Sequence, residues 1–356
     1  MKALSSFSPS VFDGLRVLVR VDYNVSLKEN DKGELAVVDD ERIRLSLPTL
    51  RFLIEAGARV ILLSHLGRPQ KESDSQFSLA PVAQKLNELA FGLIGYKKKI
   101  LFSPKTIGNL TQSWTKKLEK GQILLLENLR FYSGEEDNDP VFAKRLAKLG
   151  NFYINDAFSV SHRKHASVVG LPKLLPSASG LTLEKEINSL TSLLNNPARP
   201  LILVIGGVKE DKLEFTSQML DWADQILLGG LLPEKISGFT KLLESKKVFP
   251  GRLTKDKQDL DKQTIANFRK KIIQAKTVVL AGPVGNTDQG HYRGTRALFE
   301  AAIASGGFVV AGGGDTQAAL TRLELIDSIN YIASGGGAML DFLAKGTLPG
   351  IEALAK

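Results

Sequence analysis

The chain of 356 residues contains no cysteine, which excludes disulfides, thiolate metal sites and a cysteine nucleophile, and fits a reducing cytoplasm. Histidine is scarce, with four residues in all. His162 and His165 stand three apart, but no third ligand follows at metal spacing, so the pattern argues against zinc. No apolar run reaches the ~20 residues that cross a bilayer, and the first residues lack a signal-peptide core. The expectation is therefore a cytoplasmic protein with no membrane partner. Gly-x-Gly-x-x-Gly, the Gly-Lys dipeptide and Gly-x-Ser-x-Gly are also missing. Their absence removes the dinucleotide fingerprint, the Walker loop and the hydrolase elbow.

What is present is an ordinary globular composition, 43% hydrophobic and 24% charged, on a chain long enough to predict two domains. The formal charge of +9 is unevenly spread: residues 1–180 carry 26 Lys and Arg against 19 Asp and Glu. There is no basic tail and no basic–aromatic interleaving, so an anionic metabolite explains the surplus better than nucleic acid. No nucleic-acid partner is expected.

Short apolar runs alternate with helical periodicity. Strands are predicted at 17–21, 60–63, 123–126 and 152–154, then at 201–205, 225–228, 277–280, 308–310 and 329–332. Helical spacing covers 44–55, 79–89, 141–149, 215–222, 264–274 and 295–304. This alternation predicts parallel α/β sheets. Residues 172–179 are punctuated by Pro and Ser and 181–194 are apolar at helical spacing, together predicting a linker and a connecting helix. Residues 31–33 and 134–139 have the composition of exposed loops.

In the first half, polar residues stand just past the apolar runs: Asp22 and Asn24, His65 and Arg68, Arg130, and Arg163, with Arg42 between the first two runs. Parallel sheets collect ligands at the carboxyl ends of their strands, so these groups should converge. Four arginines and a histidine in one place call for an anion, and a small phosphorylated acid is the economical choice. The second half has glycine turns after its strands instead, at 206–207, 229–230, 282–285, 312–314 and 335–337. Such turns let backbone N–H groups approach a polyphosphate at helix N-termini. Lys209 and Lys212 flank the first turn, where an ammonium reaches phosphate oxygens. Asp315 suits either Mg²⁺ already bound to phosphates or an N-cap. An acid cluster and a polyphosphate cluster on separate domains are what phosphoryl transfer requires.

The segments Arg20-Val21-Asp22-Tyr23-Asn24-Val25, Ser64-His65-Leu66-Gly67-Arg68-Pro69, Glu127-Asn128-Leu129-Arg130-Phe131 and Asn155-Asp156-Ala157-Phe158 resemble signatures of phosphoglycerate kinases, as do 40–44, 312–316, 334–338 and 348–354. The resemblance covers nearly the whole chain in the family's order. It implies two Rossmann-like parallel-sheet domains facing across a cleft and joined by a helix. These would be a triose-phosphate domain over 1–176, a linker and helix over 177–196, a nucleotide domain over 197–339, and a tail over 340–356 packing back on the first. It implies a monomeric glycolytic enzyme passing the acyl phosphate of 1,3-bisphosphoglycerate to Mg-ADP, giving 3-phosphoglycerate and ATP. Asp22, Asn24, Arg42, His65, Arg68, Arg130 and Arg163 would bind the acid, with Arg42 also on the migrating phosphoryl group. Gly207, Lys209, Lys212, Asp288, Gly313, Gly314, Asp315 and Thr316 would bind the nucleotide, with Asp315 on Mg²⁺. Lys209, Gly313, Gly336 and Gly337 would face the transferring group.

Departures from the family concentrate in the nucleotide half. Lys209 and Lys212 stand three apart where four is usual, which on a helix still shares a face. The usual Gly-Gly-Gly-Met-Ala is Gly229-Gly230-Leu231-Leu232-Pro233, and an Asn is replaced by Ala281. The ribose carboxylate is at best Asp288, and about one strand–helix unit, ~30–40 residues, is missing before Gly282. These changes predict lost hydrogen bonds and apolar walls around the base and a relaxed choice between ATP and GTP. A non-catalytic phosphoglycerate-binding relative is the alternative.

Overall fold

Runs of Val, Leu and Ile without polar alternation mark strands buried on both faces of a parallel sheet. In a computed structural model describing residues 1–70 and 74–355, such runs build two six-stranded, wholly parallel sheets. The chain divides into one unit of residues 1–187 with the segment from Leu348 onward, and a second of residues 188–347.

The first unit contains β1 (Arg16–Arg20), a small hairpin of β2 (Leu27–Glu29) and β3 (Leu35–Val37), β4 (Arg59–Leu63), β5 (Leu101–Ser103), β6 (Ile123–Leu126), β7 (Phe152–Asn155) and β8 (Ser177–Ser179). The hairpin turns through residues 31–33, as expected. The large sheet runs in the order β5-β6-β4-β1-β7-β8. Its core gathers Val17, Val19, Val60, Leu62, Ile123, Leu125 and Ile154 against Leu50, Leu53 and Leu86 of the helices Glu41–Glu55 and Ala80–Ile94. Loops 20–24, 63–68, 126–130 and 155–163 leave four adjacent strands at one sheet edge.

Besides the two hairpin strands, two short strands of the large sheet were not expected. β5 is three residues long, and β8 lies in the stretch expected to be linker, with Ala178 and Ser179 fully buried. The border between units falls within the helix Leu181–Asn195. The returning segment begins at Leu348, not at Leu340. The helix Gly336–Lys345 packs on the helix Asp211–Gln218 and stays with the second unit. The terminal helix Pro349–Leu354 closes on the first unit, where the Gly350 N–H donates to Ser161 O at 2.8 Å and Ala353 joins Ala157, Val160 and Val168. Only glycine fits at 350, since a Cβ there would stand 2.8 Å from Val168 Cγ1. Lys356, expected in this tail, lies outside the described residues.

The second unit contains β9 (Leu201–Ile205), β10 (Gln225–Leu228), β11 (Val248–Pro250), β12 (Thr277–Ala281), β13 (Phe308–Gly312) and β14 (Tyr331–Ala333), in the order β11-β10-β9-β12-β13-β14. β11 was not foreseen, and β14 starts two residues later than the apolar pattern suggested. Ile202, Val204, Val278, Leu280 and Val309 form the core with Phe268, Ile272, Leu298 and Phe299. Among the described residues no helix is long and apolar enough to cross a membrane.

Candidate functional site

The four loops at the first sheet's carboxyl edge are tied to one another by their own side chains. Asp22 sits just past β1, where its Oδ2 accepts from Arg42 Nη1 and from Ser159 Oγ and its Oδ1 from the Asn24 N–H at 3.1 Å. Arg42 reaches it from the first turn of the helix Glu41–Glu55. Asn24 Oδ1 accepts from the Gly67 N–H at 2.8 Å, and Gly67 O accepts from Arg130 Nη1 at 2.7 Å. Gly67 has φ +60°, and a Cβ there would meet the Phe77 ring at 2.3 Å. Asn128, fully buried after β6, accepts at Oδ1 from the N–H groups of Leu66 (3.2 Å) and Arg130 (3.0 Å). Its Nδ2 donates to Leu66 O (2.7 Å) and Phe77 O (2.9 Å).

Behind these loops lies a buried charge that the sequence reading did not single out. Arg20, the last residue of β1, is fully buried. Its Nε donates to Ser167 Oγ at 2.9 Å, Nη1 to Val21 O, and Nη2 stands 3.1 Å from His65 Nδ1. Ser167 in turn donates from Oγ to Glu135 Oε1 at 2.5 Å and from its N–H to Oε2 at 3.0 Å. A guanidinium only donates, so Nδ1 of His65 accepts and its proton belongs on Nε2. Burial, then Arg20, Arg130 and Arg163, hold the His65 pKa well below that of free imidazole. It is a neutral donor at physiological pH.

The remaining cations crowd one another. Burial first, and the charge of Arg163 next, bring Arg130 down to about 10. Arg163 is lowered by burial and by Arg68, which is exposed beside it. Glu136 approaches Arg130 Nε at 2.9 Å and offsets part of the repulsion. His165 is pushed to about 3, by burial and then Arg20, Arg130 and Arg163, so its 3.8 Å approach to Glu135 is not an ion pair. All seven acid-site residues expected from sequence thus lie on or beside these loops. Cations held below their usual pKa by one another favour an anionic ligand.

In the second unit, the helices Gly314–Arg322 and Gly336–Lys345 begin side by side. A Cβ on Gly336 would stand 2.7 Å from Gly312 O and 2.8 Å from Gly313 Cα, so glycine is required for the two N-termini to meet. Two converging helix N-termini favour phosphate. Gly313, at φ +101°, is the N-cap, and Asp315 lies exposed in the first turn, which overturns its reading as a cap. Lys212 Nζ donates to Gly206 O at 2.6 Å and Ala281 O at 3.0 Å, tying the ends of β9 and β12. Burial brings it down to about 8, against the pull of Asp315 and Asp211.

Other expected residues have different surroundings. Lys209 is exposed in the turn before the helix Asp211–Gln218, so it shares no helix face with Lys212. Thr316 is buried, donating to Gly312 O at 2.9 Å and accepting from the Gly282 N–H at 2.8 Å. It joins two loops. A cavity of about 340 Å³ is lined by Gly207, Asp288 and Asp315 with apolar walls from Val208, Leu231, Pro283 and Val284. Apolar side chains therefore remain on this cavity despite the departures from the family pattern. Among the described residues no cluster of three or more His, Cys, Asp or Glu can hold a metal by itself.

The family model described as phosphoglycerate kinase matches residues 9–248 and 240–346, two pieces that meet within the stretch expected to be shortened. A phosphoglycerate kinase of Coprothermobacter proteolyticus is 38% identical over 385 residues, covering 95% of each chain, and one of Thermosipho africanus is 36% identical over 397, covering 96% and 95%. The solved phosphoglycerate kinase of Coxiella burnetii aligns over 99% of this chain and 98% of its own, with a TM-score of 0.77 and 31% identity. That of Pyrococcus horikoshii aligns over 100% and 98%, with a TM-score of 0.80 and 27% identity.

Proposed function

This chain belongs to the phosphoglycerate kinase family, and we propose that its first unit holds the three-carbon acid and its second the Mg-bound nucleotide during reversible phosphoryl transfer. The acyl phosphate of 1,3-bisphosphoglycerate passes to ADP, giving 3-phosphoglycerate and ATP. In the reverse direction a carboxyl group is the acceptor. The observation that carries the acid assignment is the group of Arg130 and Arg163 beside neutral His65, with Gly67 O bound to Arg130 and Arg68 next in the same loop; besides burial, Arg163 lowers Arg130 and Arg68 lowers Arg163.

Arg130 and Arg163 clamp the terminal phosphate of the acid, with Arg68 at the exposed rim. His65 donates from Nε2, and Asp22 and Asn24 accept from the substrate hydroxyl. Asp22 also holds Arg42, whose guanidinium has further donors for the migrating phosphoryl group. Lys209, free of a helix and exposed, neutralises that group from the nucleotide side with the N–H groups of Gly313, Gly336 and Gly337. Asp315, one of two carboxylates lining the cavity, would hold Mg²⁺ that arrives with the nucleotide phosphates. Such an ion neutralises charge on the nucleotide oxygens. Lys212 and Gly207 border the polyphosphate, and Asp288 accepts from the ribose hydroxyls. Gly314 stands in the first turn of the helix at the phosphate end, and Thr316 supports that turn.

No side chain is needed as a covalent carrier, because the acyl phosphate is already activated and ADP supplies the acceptor oxygen. Turnover of Mg-ATP with 3-phosphoglycerate in a coupled assay, with no phospho-enzyme trapped on quenching, is the expected result. Tight acid binding without turnover on any purine nucleotide would instead mark a binding relative. We read the protein as a cytoplasmic monomer without nucleic-acid partners, which sedimentation checks for oligomeric state.

A further inference from the structure

The strand order of the second sheet gives a direction to any ligand along its carboxyl edge. The helix N-termini that favour phosphate follow β13 and β14, so the opposite end of a nucleotide points toward β10 and β11. That end of the cavity is bordered by Leu231 after β10 and by Lys257 and Gln258 after β11. Residues 254–259 form a self-bonded turn. The Thr254 N–H donates to Asp259 O at 2.8 Å, the Lys257 N–H to Thr254 O at 2.9 Å, and the Gln258 N–H to Asp256 Oδ1 at 3.2 Å. Lys257 adopts φ +57° and pairs with Glu234 at 2.6 Å. The buried Asp259 carboxylate accepts from the Gly294 N–H at 2.9 Å. The turn is a fixed wall.

Gln258 is joined to Asn286 twice. The Asn286 N–H donates to Gln258 O at 2.7 Å, and Asn286 Nδ2 donates to Gln258 Oε1 at 2.7 Å. Both residues line the cavity, and Gln258 Nε2 has only a 3.4 Å approach to Asp256 O. Each amide carries a donor and an acceptor, and either can rotate end for end. If both rotate, Gln258 Nε2 donates to Asn286 Oδ1 and the bond between them is kept. The unused donor and acceptor then exchange places. Adenine and guanine differ in the same way at positions 6 and 1 of their pairing edges: adenine presents an amino donor beside a ring acceptor, guanine a carbonyl acceptor beside a ring donor, with a further amino donor at position 2.

We infer that Gln258 and Asn286 are the base-reading element of the nucleotide site, and that their reversible amide pair accepts either purine. This rests on the cavity being the nucleotide site. Calorimetric titration of the full chain with ADP and with GDP, without turnover, tests it directly. The wild-type protein should bind both within ~3-fold. Gln258→Glu offers only acceptors and should shift the ratio toward GDP, whose N1–H and 2-amino group are adjacent donors, by ~10-fold or more, while Gln258→Lys offers only donors and should shift it toward ADP. A urea transition matching that of the wild-type protein shows that each variant remains folded. A wild-type preference of ~100-fold for one purine, or the same ratio in both variants, overturns the inference while leaving the site assignment intact. Failure of the wild-type protein to bind either nucleotide overturns both.

Discussion

Replacing Asn128 with alanine tests whether one buried amide holds two substrate loops. Its side chain serves four main-chain groups, the N–H and C=O of Leu66, the C=O of Phe77 and the N–H of Arg130, at 2.7 to 3.2 Å. The alanine variant loses four bonds worth ~1 kcal/mol each, and a group left buried without water costs ~1–3 kcal/mol. Some groups will recover water through the space vacated, so the net loss should be ~3–5 kcal/mol, a large share of the ~5–15 kcal/mol that keeps a domain folded. Part of the loss should appear in function, because Leu66 leads into Gly67, whose carbonyl accepts from Arg130 Nη1. Loosening that register should weaken 3-phosphoglycerate binding by ~10-fold, equivalent to ~1.4 kcal/mol. Urea titration measures the first quantity and calorimetry the second. Asn128→Asp keeps the oxygen that accepts from both N–H groups but aims its other carboxylate oxygen at two carbonyls, and should be no more stable than the alanine variant. Stability within ~1 kcal/mol of wild type together with unchanged affinity would refute the assignment.

Arg163→Ala and Arg130→Ala should each weaken acid binding by ~1.5–3 kcal/mol, the range for a charge-assisted hydrogen bond, and unchanged titrations would mean the clamp is misassigned. Lys209→Ala should lower turnover far more than it weakens either substrate, so near-normal turnover contradicts its role at the migrating phosphoryl group. Gly336→Ala forces a Cβ to within 2.7 Å of Gly312 O and should cut turnover while sparing 3-phosphoglycerate affinity, which steady-state kinetics with calorimetry resolves. The folded chain resists protonating His165, at about 3, where the unfolded chain takes a proton below ~6.5. That stabilisation is complete above ~6.5 and is lost toward pH 3, by at most ~1.4 kcal/mol per unit. His165→Asn should therefore flatten the acid limb of urea stability against pH, and parallel limbs would rule this out.

The acid site was legible in the sequence because its residues come in short pieces, each fixed by the strand that precedes it. Val17 to Arg20 can only be a buried strand, so Asp22 and Asn24 fall at its carboxyl end, and the same holds for His65 after β4 and Arg130 after β6. Arg20 was overlooked because a charged residue ending an apolar strand has the pattern of one pointing to solvent. Its burial depends on Ser167 and Glu135, more than a hundred residues away, and no local periodicity reports such a partner. β5, β8 and β11 were missed for a related reason. At three residues each they are too short for a pattern to stand out, and they form because a neighbouring strand offers a free edge.

The nucleotide half shows the opposite limit. Its sequence departs from the family at Leu231, Leu232, Pro233, Ala281 and Asp288. The chain instead supplies Lys257 and Gln258 from the turn after β11, pinned through Asp259 to the helix Arg293–Ala304, and Val208 and Leu231 from the two glycine turns beside it. A wall assembled from several segments leaves no signature in any of them. It needs only a rigid turn at the right strand end, and Thr254, Asp256 and Asp259 provide that with hydrogen bonds inside six residues. The two paired helix N-termini depend on Gly312, Gly313 and Gly336, at the other end of the sheet from β11. The proposed polyphosphate and base sites therefore rest on different segments of the chain. Substitutions at Gln258 should change which nucleotide is held, whereas substitutions at Gly313 or Gly336 should weaken ATP and GTP to the same extent.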